Sequence, residues 1–286
     1  MKTLRESNVT IVGLGLMGGS LAGALRGQCL RVTGVDVDPK TVAMAKRRGF
    51  VDQSTTNLAI GVQNADLVVL ATPVRTILRL LDEIEPLLAP GTILMDLGST
   101  KADIAAKMAD LPHHVVPLGA HPMCGKEHSG IAVADPTLYR GATFILTPLA
   151  RTTDAALELG RTLAATVGAR PLVLAPDRQD MLTATVSHLP YLLACALVAT
   201  ADATTSSDPA AWEIVAGGFR DTSRVAGSDL TMMLDILLTN RDHVLRSLST
   251  CIDQLEGLSA LIAQGDEATL RATLAGLRAQ RKEMFP

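Results

Sequence analysis

Aromatic residues are scarce in this sequence, which has one Trp, two Tyr and four Phe among its 286 residues. Aliphatic side chains and alanine must therefore build most of the core. The four cysteines (Cys29, Cys124, Cys195 and Cys251) are far apart and show no C-x-x-C spacing. This pattern is typical of neither a disulfide framework nor a zinc site, and it fits a reducing compartment. We predict no metal site.

Positively and negatively charged residues are also nearly equal in number, with a formal net charge of -3. Such a chain has no positive electrostatic field that would attract nucleic acid or anionic lipid. The first residues, MKTLRESNV, lack the apolar core of a signal peptide. The longest apolar run, residues 189–201, contains Pro190 and is shorter than a bilayer span. We expect a soluble, cytoplasmic protein with no nucleic-acid or membrane partner.

Glycine, in contrast, is concentrated in one informative place. Residues 13–20, GLGLMGGS, follow an apolar run, VTIV, that predicts a buried strand, and they precede a segment that favours a helix. Gly13, Gly15 and Gly18 form the G-x-G-x-x-G pattern, which in this strand-to-helix context indicates a dinucleotide-binding site. Gly13 permits the tight turn, Gly15 the close approach of a pyrophosphate, and Gly18 the packing of helix on strand.

The next strand indicates which dinucleotide is bound. Residues 30–35 read as a second strand, and Asp36 follows at its end. An acidic side chain there accepts hydrogen bonds from the adenine ribose and repels the 2′-phosphate of NADP. Asp38 adds to this effect, although Lys40 is close by. We predict NAD as the cofactor, with Leu16 and Met17 of the glycine loop among its contacts.

Alternating strand and helix signals continue through the first part of the chain. Strands are predicted at residues 66–71, 92–97, 115–119, 142–146 and 169–174, and helices at 74–88, 101–109 and 154–167. This alternation predicts an α/β fold with an N-terminal Rossmann-like, mostly parallel, doubly wound sheet.

After Pro176 the strand signals disappear, and long helices rich in Leu and Ala are predicted at residues 181–203, 230–256 and 266–282. We therefore predict a Rossmann-like domain over residues 1–175 and an all-helical domain over 176–286. Helices this apolar would leave hydrophobic surface exposed, which favours burial in a homodimer through the helical domain. The alternative is that they pack only on the first domain.

Two predicted loops carry chemically useful side chains at the carboxyl ends of strands, where this fold places its crevice. One is GSTK at residues 98–101, and the other is HPMCGKE at residues 121–127. His121 is a candidate general base near neutral pH, and the Ser99 hydroxyl a candidate to orient it. A purely structural histidine is the alternative.

Polar residues in the helical part offer two further sites. His188, in the segment SHLP, is predicted to lie within an apolar helix. It is either a residue of the substrate pocket or a buried core histidine whose ring nitrogens are hydrogen-bonded within the protein. Arg220 and Arg224, in GGFRDTSR, are suited to bind carboxylates, because a guanidinium pairs bidentately. The alternative there is a surface loop with its own ion pairs.

Taken together, these segments resemble the prephenate/arogenate dehydrogenase family of tyrosine biosynthesis. The motifs that carry the resemblance span most of the chain in the family's order: GLGLMGGSLA, ATPV, DLGSTK, HPMCGKEHSG, LTP, SHLP and GFRDTSR.

The resemblance implies a role for each matched position. His121 would be the catalytic histidine bonded to the C4 hydroxyl of the substrate, with Ser99 as its hydrogen-bond partner. Arg224 would bind the ring carboxylate. The other implied substrate-site residues are His188, Arg220, Asp221 and Glu127, the last an acidic residue found in prephenate-using members. In ATPV, Thr72 and Pro73 would contact the cofactor.

The implied reaction is the NAD-dependent oxidative decarboxylation of prephenate to 4-hydroxyphenylpyruvate, CO2 and NADH. One alternative is an arogenate dehydrogenase that gives tyrosine directly, and another is an NAD-binding regulator without catalysis. A β-hydroxyacid dehydrogenase begins with almost the same glycine pattern. That family uses a lysine on a helix of its second domain, and residues 180–200 contain none.

Overall fold

A computed structural model describes residues 2–126, 128–205, 207–208 and 210–284. The chain divides into two compact units, one ending at Arg241 and the other beginning at Asp242. The first unit contains an eight-stranded sheet in the order β3-β2-β1-β4-β5-β6-β7-β8. Its strands β1 to β8 are Asn8–Val12, Arg31–Val35, Gln53–Thr55, Leu67–Leu70, Ile93–Asp96, Val116–Pro122, Thr143–Thr147 and Arg170–Val173.

The sheet is mostly parallel, as predicted. β1 pairs in parallel with both β2 and β4, and the exception to parallel pairing among the described strands is β6 with β7. Every residue of Leu67–Leu70 is buried, because helices cover both faces of the sheet. Val69 and Val68 contribute to hydrophobic clusters on opposite faces. The Rossmann-like, doubly wound architecture is therefore confirmed.

Six helices accompany the strands in this part of the described chain: α1 Leu16–Leu25, α2 Pro39–Arg47, α3 Leu58–Val62, α4 Val74–Ile84, α5 Ala102–Ala109 and α6 Asp154–Thr166. Aliphatic side chains dominate the core, joined by the aromatic rings of Phe50, Tyr139 and Phe144. The sequence did not predict β3 or α3. Both are short and carry little hydrophobic periodicity, which is the main sequence signal for an element.

From Pro176 onward the described residues form helices joined by short turns, with no strand among them, which confirms the prediction of an α/β part followed by helices. Its elements are α7 Pro176–Thr183, a π-helical turn Ala184–His188, α8 Leu189–Thr205, α9 Ala210–Glu213, α10 Gly217–Ser223, α11 Leu230–Thr239, α12 Arg241–Gln264 and α13 Glu267–Met284.

The single helix predicted over residues 230–256 is wrong in one respect. It is interrupted at Asn240, whose backbone leaves the helical region with φ of -121° and ψ of 28°. The Asn240 side chain is buried and donates to the backbone carbonyl of Asp180, 2.7 Å away. A tertiary contact of this kind has no signature in hydrophobic periodicity, so the sequence pattern runs through the break.

The run Pro176–Thr205 is continuously helical over 30 residues, and its most apolar stretch has a mean hydropathy of 1.6. By length and composition alone this helix is able to cross a membrane, and it includes the shorter apolar run of residues 189–201. The core helix of a soluble protein passes the same test.

One carboxylate joins α7 to α5. Asp180 accepts hydrogen bonds from the backbone N–H groups of Lys101 and Ala102, each at 2.7 Å. These groups begin α5, which has no side-chain cap from its own residues among those described. Asp180 therefore caps a helix from a distant part of the sequence.

A second tie of the same kind fixes α11. The Asp235 carboxylate, almost fully buried, accepts from the backbone N–H of Arg75 at 2.9 Å and pairs with its guanidinium. Judged by compactness, the chain divides after residue 241, so these contacts lie within the first unit. The domain boundary predicted from the sequence, between residues 175 and 176, stays a prediction.

We expect Asp180→Ala to lower the free energy of unfolding by about 1–3 kcal/mol, because it leaves one buried and one partly buried backbone donor unpaired. Urea denaturation monitored by circular dichroism measures this change. Asp103→Ala is the matched control, since Asp103 lies exposed in the first turn of the same helix and its loss should cost within about 0.5 kcal/mol. Equal losses in the two variants would contradict a capping role for Asp180.

Candidate functional site

The strand order reverses between β1 and β4, so a crevice opens at their carboxyl ends. The glycine loop borders it. Gly13 has a φ of 91°, and a Cβ atom there would lie 2.6 Å from Cγ2 of Thr72. A Cβ atom on Gly18 would collide with the carbonyl oxygen of Gly13, whereas one on Gly15 would meet nothing within 4 Å. The loop therefore packs closely against the protein at Gly13 and Gly18 and has free space at Gly15, toward the crevice.

This crevice fits a pyrophosphate. Gly15 is the N-cap of α1, and within the described chain no side chain caps that helix, so the N–H groups of its first turn, at Leu16 and Met17, have no side-chain acceptor. The Thr72 hydroxyl is buried and has no hydrogen-bond partner among the described residues. Pro73, which follows it, precedes α4. The predicted cofactor positions therefore lie around one opening.

Asp36 lies at the end of β2, on the adenosine side of this crevice. Its Oδ2 accepts from the backbone N–H of Leu14 at 2.8 Å, and its Oδ1 from that of Asp38 at 3.0 Å. These bonds fix the carboxylate while leaving each oxygen a lone pair for a ribose hydroxyl. Asp38 has a different role, because its side chain caps α2 through the N–H groups of Lys40 and Thr41.

His121 lies within a strand rather than in the loop that the sequence predicted. β6 continues to Pro122 because it pairs antiparallel with β7, where His121 is opposite Ile145. The side chain is only 8% exposed. Burial, together with the charge of Lys101 and the neighbouring His188, lowers the pKa of His121 from 6.5 to about 3. The imidazole is therefore neutral at physiological pH.

Gln179, on α7, is the hydrogen-bond partner of His121. Its Oε1 lies 3.3 Å from Nδ1 of His121, and its Nε2 donates to the backbone carbonyl of Ser99 at 3.3 Å. We expected the Ser99 hydroxyl to orient His121. In the described chain the amide of Gln179 makes that contact, and Ser99 joins the network through its backbone.

His188 ends the π-helical turn and is buried beside His121. Its Nδ1 lies 3.2 Å from Nδ2 of Asn240. Its Nε2 is buried and has no hydrogen-bond partner in the part of the chain that the structure describes. Burial lowers the pKa of His188 to about 4, so this ring is also neutral. A buried polar atom without a partner is the feature expected where a ligand binds.

An ion pair lies behind these histidines. Lys101 and Asp96 are both fully buried, and the ammonium of one contacts the carboxylate of the other. Asp96 also accepts from the backbone N–H of Gly98 at 2.8 Å. Burial raises the pKa of Asp96 and lowers that of Lys101, each opposed by the other's charge. Because Lys101 is close enough to affect His121, the pair contributes to the electrostatics of the site.

The predicted arginine segment lies on other elements. Arg220 and Asp221 belong to α10 and are exposed, and Arg224 begins the 3-10 turn Arg224–Gly227, also exposed. Both elements pack against α8. Arg220 and Asp221 form no side-chain ion pair with the described residues, so the structure does not join them to the His121 network.

Glu127 lies outside the described residues. The side chain of its neighbour Lys126 donates to the backbone carbonyl of Val133 at 3.2 Å and lies 3.5 Å from the carboxylate of Asp135.

The structure thus brings together His121, the backbone of Ser99, and His188. It adds residues that sequence reasoning missed: Gln179, Asp180, Asn240 and the Asp96–Lys101 pair. A signal for some of them was present, because Asp96 and Lys101 lie within DLGSTK, and Gln179 and Asp180 are polar residues next to an apolar helix. The contacts of Gln179, Asp180 and Asn240 could not be predicted, since their partners are distant in sequence.

Two family models match the chain. The model described as the prephenate dehydrogenase nucleotide-binding domain matches residues 21–173, and the one described as the prephenate dehydrogenase dimerization domain matches residues 175–276. Together they cover most of both the sheet region and the helices.

Individual proteins agree with these models. The chain is 32% identical to the prephenate dehydrogenase of Bacillus subtilis over 273 residues, which cover 93% of this chain and 72% of that protein. Among solved structures it resembles prephenate dehydrogenase from Aquifex aeolicus in complex with hydroxyphenyl propionate and NAD+. That match has a TM-score of 0.92 at 32% identity and covers 99% of this chain and 100% of that one. Synechocystis arogenate dehydrogenase matches with a TM-score of 0.84 at 30% identity, covering 97% and 99%.

The contrast between Gly15 and Gly18 gives a test of the crevice. Gly18→Ala should destabilise the protein by about 1–3 kcal/mol, because its methyl group collides with backbone. Gly15→Ala should leave the unfolding temperature nearly unchanged and weaken NAD binding about tenfold or more, because its methyl group enters the space for the pyrophosphate. Differential scanning fluorimetry and calorimetric titration with NAD measure the two effects. Unchanged NAD affinity in Gly15→Ala would contradict this location of the cofactor.

Proposed function

The chain belongs to the prephenate dehydrogenase family, and we propose that it converts prephenate, with NAD, to 4-hydroxyphenylpyruvate, CO2 and NADH in tyrosine biosynthesis. As a member of that family it is an NAD-dependent oxidoreductase, which excludes the alternative of a regulator without catalysis. The observation that supports the proposed reaction most directly is the buried, neutral His121 beside a second buried histidine with an unpartnered ring nitrogen.

His121 supplies the base for the first step. Prephenate carries a hydroxyl and a hydrogen on C4, and oxidation removes the hydroxyl proton together with a hydride. NAD, when bound, supplies the hydride acceptor. A neutral imidazole accepts the proton, and burial keeps His121 neutral across the physiological pH range.

Loss of CO2 then follows from the electronic structure of the ring. Oxidation at C4 gives a dienone, and the electrons of the breaking carbon–carboxylate bond enter that ring to form an aromatic phenolate. The phenolate oxygen takes a proton back from His121, so the base is restored and the protons balance. We place Arg224 at the ring carboxylate and Arg220 and Asp221 nearby, where they bind and orient the substrate.

Prephenate and arogenate differ at the side chain, which bears a keto group in one and an ammonium group in the other. A buried ammonium requires an acceptor. The two described carboxylates behind the histidines are already engaged, Asp96 with Lys101 and Asp180 with the N-terminus of α5. Arogenate would therefore depend on Glu127. The keto group of prephenate carries no charge and needs no such acceptor, so we propose prephenate as the substrate, with arogenate, the substrate named for the Synechocystis relative, as the alternative.

We also propose a homodimer formed through the helices. Large apolar side chains are exposed on elements of the first unit: Met181 and Leu182 on α7, Val186 on the π-helical turn, and Leu230, Leu234 and Leu238 on α11. A partner subunit would cover them, and this would also account for the apolar character of the run Pro176–Thr205. All four cysteines are free, which supports the cytoplasm as the location.

A substrate panel tests the reaction. We expect NADH to appear at 340 nm with prephenate and NAD. We expect kcat/KM for prephenate to be about tenfold or more above that for arogenate, since burying one unpaired charge costs enough free energy to lower kcat/KM by at least that factor. Each substrate is assayed with NAD and with NADP, and a 3-hydroxy acid serves as the control. A preference for arogenate that disappears in Glu127→Gln would reassign Glu127 as the ammonium partner and overturn prephenate as the substrate.

The role of His121 has its own test. We expect His121→Asn to lower kcat by about 10²–10⁴-fold, the usual contribution of one acid–base group, with a smaller change in KM. His128→Asn is the matched control, because that histidine is exposed. Near-normal turnover in His121→Asn would show that another group accepts the proton.

A further inference from the structure

The two buried histidines of the site differ in the partner that each ring meets. Nδ1 of His121 lies 3.3 Å from the amide oxygen of Gln179. Nδ1 of His188 lies 3.2 Å from the amide nitrogen of Asn240. A neutral imidazole has one N–H donor and one acceptor nitrogen, so the partner of Nδ1 decides the character of Nε2.

The orientation of the Gln179 amide follows from its surroundings. Its nitrogen side meets acceptors, namely the carboxylate of Asp180 at 2.9 Å and the backbone carbonyl of Ser99 at 3.3 Å. The same nitrogen also lies 3.2 Å from the Thr183 hydroxyl, whose own hydrogen is donated to the backbone carbonyl of Gln179 at 3.0 Å. With the amide turned the other way, its oxygen would face three acceptors, the carboxylate, the carbonyl and this hydroxyl oxygen. The oxygen therefore faces His121, whose Nδ1 must carry the proton.

The orientation of the Asn240 amide is fixed in the same way. Its nitrogen donates to the backbone carbonyl of Asp180 at 2.7 Å, which leaves the second hydrogen of that nitrogen directed at His188. A donor facing Nδ1 of His188 requires that nitrogen to be the acceptor. The proton of His188 therefore lies on Nε2, the buried atom that has no partner among the described residues.

We infer that Gln179 and Asn240 are positioning residues that hold the two histidines in opposite tautomers. His121 then presents an acceptor nitrogen, and His188 a donor nitrogen. This inference rests on the proposed function, to which it adds how the ring nitrogens are assigned. Asp180 links the two amides, because its carboxylate accepts from one and its backbone carbonyl from the other.

Opposite tautomers suit the chemistry of the substrate. The acceptor Nε2 of His121 takes the hydroxyl proton, and the donor Nε2–H of His188 binds an oxygen of the substrate. A proton on Nε2 of His121 would instead turn the base into a donor and block the first step. The titratable neighbours of His121 are Lys101 and His188. Lys101 is paired with Asp96 and also lies near the carboxylate of Asp180, which is held by α5.

Histidine tautomers are measured directly by ¹H–¹⁵N correlation spectra of the ring nitrogens, in the full-length enzyme without substrate. A protonated ring nitrogen resonates far upfield of an unprotonated one, so the two tautomers give distinct patterns. The chain has six histidines, and spectra of His121→Asn and His188→Asn assign the two of interest. We expect the Nδ1–H form for His121 and the Nε2–H form for His188. The same tautomer in both rings would overturn the inference.

Variants of Gln179 connect the tautomer to turnover. Gln179→Leu removes the acceptor, and we expect His121 to lose its preference for the Nδ1–H form and kcat to fall about tenfold to a hundredfold. Gln179→Glu keeps an acceptor, so it should retain the Nδ1–H form. Its added negative charge should raise the pKa of His121, and activity should then be lost at a higher pH as the solution is acidified. Gln28→Leu, at an exposed glutamine, should change neither property.

The outcomes separate this inference from the proposed function. If both tautomers are as expected while prephenate is not a substrate, the proposed reaction fails and the tautomer assignment stands. If prephenate is oxidised but Gln179→Leu retains the wild-type spectrum, pH profile and kcat, Gln179 has no positioning role. Thermal unfolding of each variant shows whether it is folded, and the wild-type spectrum decides the tautomers even if Gln179→Leu does not fold.

Discussion

The carboxylate of Asp180 is the constraint on which the geometry of the site depends. It is buried, and a buried carboxylate must be hydrogen-bonded or it costs several kcal/mol. Two backbone N–H groups at the start of α5 meet that requirement. Because Gln179 precedes Asp180 on α7, satisfying this one group also brings the Gln179 amide to His121. The capping of α5 and the contact of Gln179 with the His121 ring therefore both depend on how Asp180 is held.

Burial is the second theme of the site, and it acts in opposite ways on neighbouring groups. It keeps both histidines neutral, as the roles proposed for His121 as a base and for His188 as a donor require. Burial also imposes a desolvation cost on the charges of Lys101 and Asp96, and their ion pair offsets that cost. The ammonium of Lys101 then favours neutral His121. An ion pair that contributes little to net stability can therefore be important for the protonation state of an adjacent base.

Several features were accessible from the sequence because they depend on local pattern. The glycine loop, the strand that ends in Asp36 and the apolar helices after Pro176 each have a characteristic composition or periodicity. The features that the sequence did not predict depend on partners distant in sequence. β6 is longer than predicted because it pairs with β7, α11 ends before Asn240, whose side chain bonds to Asp180, and the Gln179 amide contacts the ring of His121. The role of the Ser99 hydroxyl stays a prediction.

The sequence by itself determined the fold class and the cofactor crevice, and it indicated His121 as the candidate base, because each depends on residue types in a short, ordered pattern. Only the tertiary structure decided which side chain meets Nδ1 of that histidine and which charge lies near it. Hydrogen-bond direction and desolvation depend on groups brought together from separate elements. Residues 96, 101, 121, 179, 188 and 240 become neighbours only when the sheet and the helices that follow it pack against each other.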